Sequence, residues 1–406
     1  MVQNISQVYN CYGCGVCATV CSQKIIDIRL NKNGFYEPFI SNENQCTQCG
    51  LCTEVCAYLH ETLSLQNPNV KSYAAWSKNH LVRRKCSSGG IGFEVGCHLI
   101  NQGFHVCGVR YDAEQAKAVH YIADTKEAWV QSIGSKYIQS YTVDGFQSIH
   151  RKEKYLVTGT PCQIDSFRRY IQKFHCEDNF VLLDFFCHGV PSMHLWEKYT
   201  HWVKKQVGEI TYVSWRNKQT RWHDSWAMAI DEKEKYAEKV DWHESYNMLI
   251  KGKKNYLNSR LTQGDMFYAL FLGDCCLGKQ CMEHCKYKYN HSAADIRIGD
   301  CWGNTYLNNE DGVSTAIAFT AKGDEILHGC NCELIEHPFS IVAEGQMKAA
   351  PKPKKWFVKI QYALNDPLIP IETVYNIYIK HHNQDKWKQH ILNPRQSIKK
   401  IIKKIV

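Results

Sequence analysis

The start of the chain is dominated by a duplicated cysteine run. Residues 11–21 read CYGCGVCATVC and residues 46–56 read CTQCGLCTEVC, an internal repeat with a period of 35 residues. Both copies have the spacing C-x2-C-x2-C-x3-C. Three closely spaced thiolates on a tight loop cover three corners of a cubane. The fourth, opening a following helix, points back across a pseudo-twofold axis to the other cubane. That geometry assigns Cys11, Cys14, Cys17 and Cys56 to one [4Fe–4S] cluster, and Cys46, Cys49, Cys52 and Cys21 to a second. Gly13, Gly15 and Gly50 suit loops that wrap closely and aim N–H groups at sulfur. Zinc is a poor fit to eight cysteines at duplicated spacing with no histidine interleaved.

The chain has 406 residues and 21 cysteines. In a long chain that begins MVQNISQVYN, with no basic-then-apolar leader, clustered cysteines are expected to be metal ligands in a reducing cytosol, not disulfides. No apolar stretch reaches the ~18 residues of a membrane span. The formal charge of +9 does not point to nucleic acid, because cluster thiolates offset it. Part of the excess also sits at the end, where residues 395–406 hold five basic residues and no acidic one. There SIKKIIKKIV places Ile398, Ile401, Ile402 and Ile405 on one helical stripe. Packing on the body is the expected role of that stripe, with peripheral membrane contact by the tail as the alternative.

After residue 65 the pattern changes. QNPNVKSY (66–73) is polar and proline-containing and is read as part of a linker over 66–80. Beyond it, strand-like and helix-like segments alternate, as in an α/β domain. Helices are expected at 88–99, 164–174 and 193–207, and strands at 104–110, 155–158, 180–186 and 209–215. Residues 218–260 give no clear signal, and the chain turns Lys-rich near 349.

Six segments then follow in order: CSSGGIGFEVG (86–96), GFHVCGVRYD (103–112), IGSKYIQS (133–140), VTGTPCQID (157–165), FFCHGVPS (185–192) and ADIRIGDCWG (294–303). Together they resemble the beta subunit of coenzyme F420 hydrogenase/dehydrogenase, a family that also includes fusions to an N-terminal two-cluster ferredoxin domain. The resemblance implies an α+β ferredoxin-like dicluster domain (1–65), the linker, an α/β flavin-binding body (81–345) and a basic C-terminal extension (346–406). It implies a third [4Fe–4S] cluster, whose ligands map to Cys162, Cys187, Cys281 and Cys285. The family pair is usually C-x2-C, whereas Cys281 and Cys285 are one residue further apart, and Cys275 and Cys276 stand just upstream as substitutes.

It also implies a flavin, FAD or FMN. Ser87, Ser88, Gly89 and Gly90 precede a helix and offer hydroxyls and free N–H groups to a phosphate or flavin edge, although a plain capped turn has the same composition. Lys136 is the candidate for the flavin's negative charge, against a solvated lysine. His188 is the candidate proton shuttle, against a structural histidine. The function expected is a flavin-dependent oxidoreductase exchanging electrons between an external ferredoxin, or another redox partner, and a small-molecule substrate. The alternative is a non-catalytic relay that hands electrons to a separate enzyme.

Overall fold

In the computed structural model, residues 4–66, 68, 70–216, 218, 221–225, 227–232 and 256–392 are described. The tail stripe over 397–406 lies outside them. Each cysteine run turns into a short helix, Val16–Val20 or Leu51–Glu54, whose first cap is a glycine in the left-handed region. Between the runs, β1 (Ile26–Leu30) and β2 (Tyr36–Ile40) form an antiparallel hairpin with Ile26 opposite Ile40. Val16, Ile26, Ile28 and Val55 bury their side chains around the thiols.

The body is built on one nine-stranded mixed sheet. Its strands are β3 (Lys71–Ser77), β4 (His105–Asp112), β5 (Lys117–Ala123), β6 (Ser140–Tyr141), β7 (Tyr155–Thr158), β8 (Phe180–Phe185), β12 (Ile296–Asp300), β13 (Ser314–Ala318) and β14 (Cys332–Glu336). They lie in the order β14-β3-β13-β12-β8-β7-β4-β5-β6. The centre, from β12 through β8 and β7 to β4, is parallel. Strands β7 and β8 are apolar runs covered on both faces, as central parallel strands are. Asp184 in β8 is matched in register by Arg297 of β12 and receives two guanidinium hydrogen bonds of 2.7 Å. Both side chains are fully buried, so the pair is satisfied where a lone charge would be costly.

A second, three-stranded antiparallel sheet has the order β11 (Tyr256–Arg260), β10 (Ala227–Glu232), β9 (Ile210–Ser214). Beside it, helix Met193–Val207 packs with helices Met266–Leu272, Phe357–Asn365 and Ile371–Leu392 around Trp196, Tyr199, Phe267, Ile360 and Val374.

Two boundaries change. The stretch expected as linker contains β3, which pairs with both β13 and β14. Its run Tyr73, Ala74 and Ala75 is buried because the strand is flanked on both edges. The region expected as a basic extension supplies two helices whose Ile360 and Val374 are fully buried. The helix expected at 88–99 runs Ile91–Asn101, since Ser87 to Gly90 form the turn before it. Among the described residues, no helix is long and apolar enough to cross a membrane.

Candidate metal centres

Gly15 shows why the first loop needs glycine. Its φ is 73°, and an added Cβ would stand 2.1 Å from the Thr142 hydroxyl, which donates to the Cys14 carbonyl. The loop is thereby pressed onto the body. Cys11, Cys14, Cys17 and Cys56 are buried and line one small cavity with Ile5, Ile28 and Pro38. Burial raises the Cys17 thiol well above its usual range, and the neighbouring Cys14, Cys11 and Cys56 thiols raise it further. Burial likewise pushes Cys56 up to about 12. Four thiols crowded into an apolar hole are poor anions alone, and a polycationic iron core reverses that cost. The Gly13 N–H points at the Cys11 sulfur at 3.4 Å, and the Ser166 hydroxyl lies 3.3 Å from that of Cys14.

The other set is nearer the surface. Cys52 is buried, Cys21 and Cys46 are half-buried, and Cys49 is exposed. Burial raises Cys52, and both Cys49 and Cys21 add to the rise. The Asn4 side-chain amide reaches the Cys46 sulfur at 3.8 Å.

Four further thiols come from three separate segments. Cys162 is in the first turn of helix Pro161–Lys173, Cys187 follows β8, and Cys281 and Cys285 flank the end of helix Lys279–Glu283. All four line one cavity. Cys281 lies within the helix and Cys285 just beyond its end, and both thiols face the same cavity despite the longer spacing. Burial raises Cys162 well above its usual range, with Cys187, Cys281 and Cys14 adding to it. Burial, with Cys187 and Cys285 adding to it, brings Cys281 up to about 12. The Val190 N–H meets the Cys281 sulfur at 3.4 Å, and the Lys288 ammonium binds the carbonyls of Cys187 and His188. Cys275 and Cys276 are elsewhere, buried in the helical core with their thiols toward the Leu270 carbonyl.

The remaining expected site residues are dispersed differently. Ser87 accepts from Ser135, Ser88 donates to the Val313 carbonyl, and the Gly89 N–H donates to Ser314. A Cβ on Gly89 would fall 2.3 Å from the Ala75 carbonyl, so that glycine also serves close packing against the sheet. Gly90, with φ 91°, caps the helix that follows. Lys136 donates to the carbonyls of Ser132, Ile133 and Gly134, and loss of water around it pushes its ammonium down to about 7. Two basic residues not expected from sequence join this turn: Arg216 donates to the Ser87 carbonyl and Lys218 to that of Ser88. Arg216 also pairs with Asp300 at 2.8 Å and lies over the Trp302 ring. No local pattern marks them, because they reach the turn across roughly 130 residues of chain. His188 sits 2.9 Å from Asp274 and edge-on to Phe271, and it does not line the thiol cavity.

Residues 10–59 match the model of the 4Fe-4S dicluster domain. Residues 152–336 match that of the C terminus of the coenzyme F420 hydrogenase/dehydrogenase beta subunit. The chain carries that beta-subunit domain behind a dicluster domain. It is an iron–sulfur electron-transfer protein that carries a domain of that hydrogenase/dehydrogenase type. The beta-subunit domain contains Cys162, Cys187, Cys281 and Cys285, and the dicluster domain contains the eight cysteines of the repeat. Among solved structures, a chain of the F420-reducing [NiFe] hydrogenase complex from Methanosarcina barkeri is similar at 16% identity, with a TM-score of 0.43 over 78% of this chain and 92% of that one. No curated protein matches.

Proposed function

We propose that this protein is an iron–sulfur flavoprotein oxidoreductase with three [4Fe–4S] sites leading to a flavin. The observation that carries the reading is the convergence of Cys162, Cys187, Cys281 and Cys285 on one cavity beside the buried dicluster thiols. Cys14 is close enough to raise the Cys162 thiol. The three sets then form a series: an exposed one at Cys21, Cys46, Cys49 and Cys52, a buried one at Cys11, Cys14, Cys17 and Cys56, and the third in the body. An external ferredoxin or similar protein would meet the exposed set. When bound, clusters supply one-electron transfer, and a flavin supplies the conversion between one- and two-electron chemistry that a small-molecule substrate needs.

The chain's own groups fit these cofactors. Gly13 and Val190 aim N–H groups at sulfur, and Lys288 lowers the Cys187 thiol against the burial that raises it. Arg216 and Lys218 donate to the turn at Ser87 and Ser88, and Ser135, the neighbour of Lys136, donates to Ser87. Loss of water also pushes Lys218 down, to about 8. Two ammonium groups held by carbonyls and short of water favour an anion, which a flavin phosphate provides.

The test is an anaerobic purification with iron, sulfide and flavin quantified and a visible spectrum recorded. The reading expects about twelve irons and one flavin per chain. About eight irons without flavin would overturn both the third site and the flavin.

A further inference from the structure

Tyr12 stands between two of the thiol sets. It directly follows Cys11 and lines the cavities of both the Cys11, Cys14, Cys17, Cys56 set and the Cys162, Cys187, Cys281, Cys285 set. Its hydroxyl donates a 2.6 Å hydrogen bond to the carbonyl of His284, the residue before Cys285. Its ring meets Tyr58, two residues after Cys56, edge-on at 5.2 Å. On another side it meets Tyr287, two residues after Cys285, at 5.6 Å. Lys286 closes the same seam by donating to the Ala57 carbonyl at 2.9 Å. One continuous path of bonds thus runs from Cys11 through the Tyr12 ring and one hydrogen bond to Cys285.

We infer that Tyr12 is the bridge through which an electron passes between the buried dicluster site and the third site. This rests on the three-site reading above. In the step, one site loses an electron and the other gains it. No bond forms or breaks, and the phenol keeps its proton. The tyrosine supplies two things: a ring that fills the gap with polarisable matter instead of water, and a hydroxyl that replaces a through-space jump by a hydrogen bond.

The experiment uses the full-length, iron-loaded protein with Tyr12→Phe and Tyr12→Leu. Each is mixed with reduced bacterial-type ferredoxin and freeze-quenched, and the arrival of the electron at the third site is followed by electron paramagnetic resonance. Iron content and the midpoint potential of each site are measured in parallel. Tyr12→Phe is expected to slow arrival several-fold at unchanged iron and potentials, and Tyr12→Leu to slow it further. Equal rates in all three proteins would overturn the bridge. If Tyr12→Leu fails to fold or load, Tyr12→Phe alone decides. A failure of the three-site reading is distinguishable, because the unaltered protein would then hold about eight irons and show no third signal.

Discussion

The Cys14 thiol donates a 3.3 Å hydrogen bond to the hydroxyl of Ser166, a residue of the helix that carries Cys162. Ser166 is fully buried and also accepts the Ala57 N–H at 3.1 Å, one residue beyond Cys56. A single hydroxyl of the body thus touches both the loop of Cys14 and the segment that follows Cys56 in the buried dicluster site. With Cys14 as a metal-bound thiolate, the serine proton turns toward sulfur and stabilises the more negative, reduced state.

Ser166→Ala is therefore expected to lower the midpoint potential of that site by tens of millivolts and to leave the more exposed set unchanged. It also strands the Ala57 N–H, at a cost of about 1–3 kcal/mol in stability. Redox titration with spectroscopic detection, beside denaturant unfolding, checks both. Equal shifts at both sites would show that Ser166 acts through the fold instead of through Cys14.

Changing Cys162 and Cys187 together to Ala is expected to remove about four irons per chain and to spare about eight. Cys276→Ala, made in the helical core, is expected to leave iron unchanged and to cost roughly 1–2 kcal/mol as a small buried truncation. Iron analysis with thermal unfolding separates the two. Loss of iron from Cys276→Ala would move the ligand set upstream.

The cysteine repeat was legible because ligands of a cubane are fixed by short local loops, so spacing alone carries the site. Strands β7 and β8 were legible as apolar runs between turn residues. What escaped depends on partners far along the chain. β3 looked like linker because it opens on Lys71 and Ser72 after a polar run, and its burial comes from strands more than two hundred residues later. Nothing local marks Asp184 as a buried ion-pair partner, because Arg297 comes from a strand more than one hundred residues later. Arg216 follows the strand expected at 209–215 and Lys218 opens the stretch without a clear signal, yet their heads meet the turn at Ser87 and Ser88. Nothing in the cysteine spacing marks Tyr12, and only the fold brings the His284 carbonyl to its hydroxyl.

Flavin binding is expected to depend on pH through Lys136. Its ammonium is pushed down to about 7 in the folded protein, by loss of water. A bound phosphate favours the charged form, so above about pH 7 binding must take up a proton. Affinity for FMN or FAD should then fall as pH rises from 7 to 9, by at most about tenfold per unit for one group. Below 7 the lysine is already charged and its contribution is flat. Lys136→Met should weaken binding and make the slope shallower, leaving the part above about pH 8 that Lys218, also pushed down by loss of water, contributes. Calorimetric titration of the flavin-free, iron-loaded protein at several pH values measures it. An unchanged slope in Lys136→Met would assign the proton uptake near pH 7 to another group.

The two copies of the repeat also predict an asymmetry. Gly15 and Gly50 occupy matching positions, and both have φ 73°. An alanine at either position carries the left-handed penalty of about 1–2 kcal/mol. At Gly50 the added Cβ meets only the Thr53 hydroxyl at 4.0 Å, so nothing more is lost. At Gly15 it would sit 2.1 Å from the Thr142 hydroxyl, and it would break the bond that hydroxyl makes to the Cys14 carbonyl. Gly50→Ala is therefore expected to fold and keep its full iron content with a modest loss of stability. Gly15→Ala should displace Cys14 and lower iron at the buried site, and Gly15→Ala combined with Thr142→Ala should recover part of it by clearing the space. Iron content and the spectroscopic signal of each site, measured across the three variants, test this. Equal losses from Gly15→Ala and Gly50→Ala would mean that backbone strain alone governs loading and that contact with the body has no part in it.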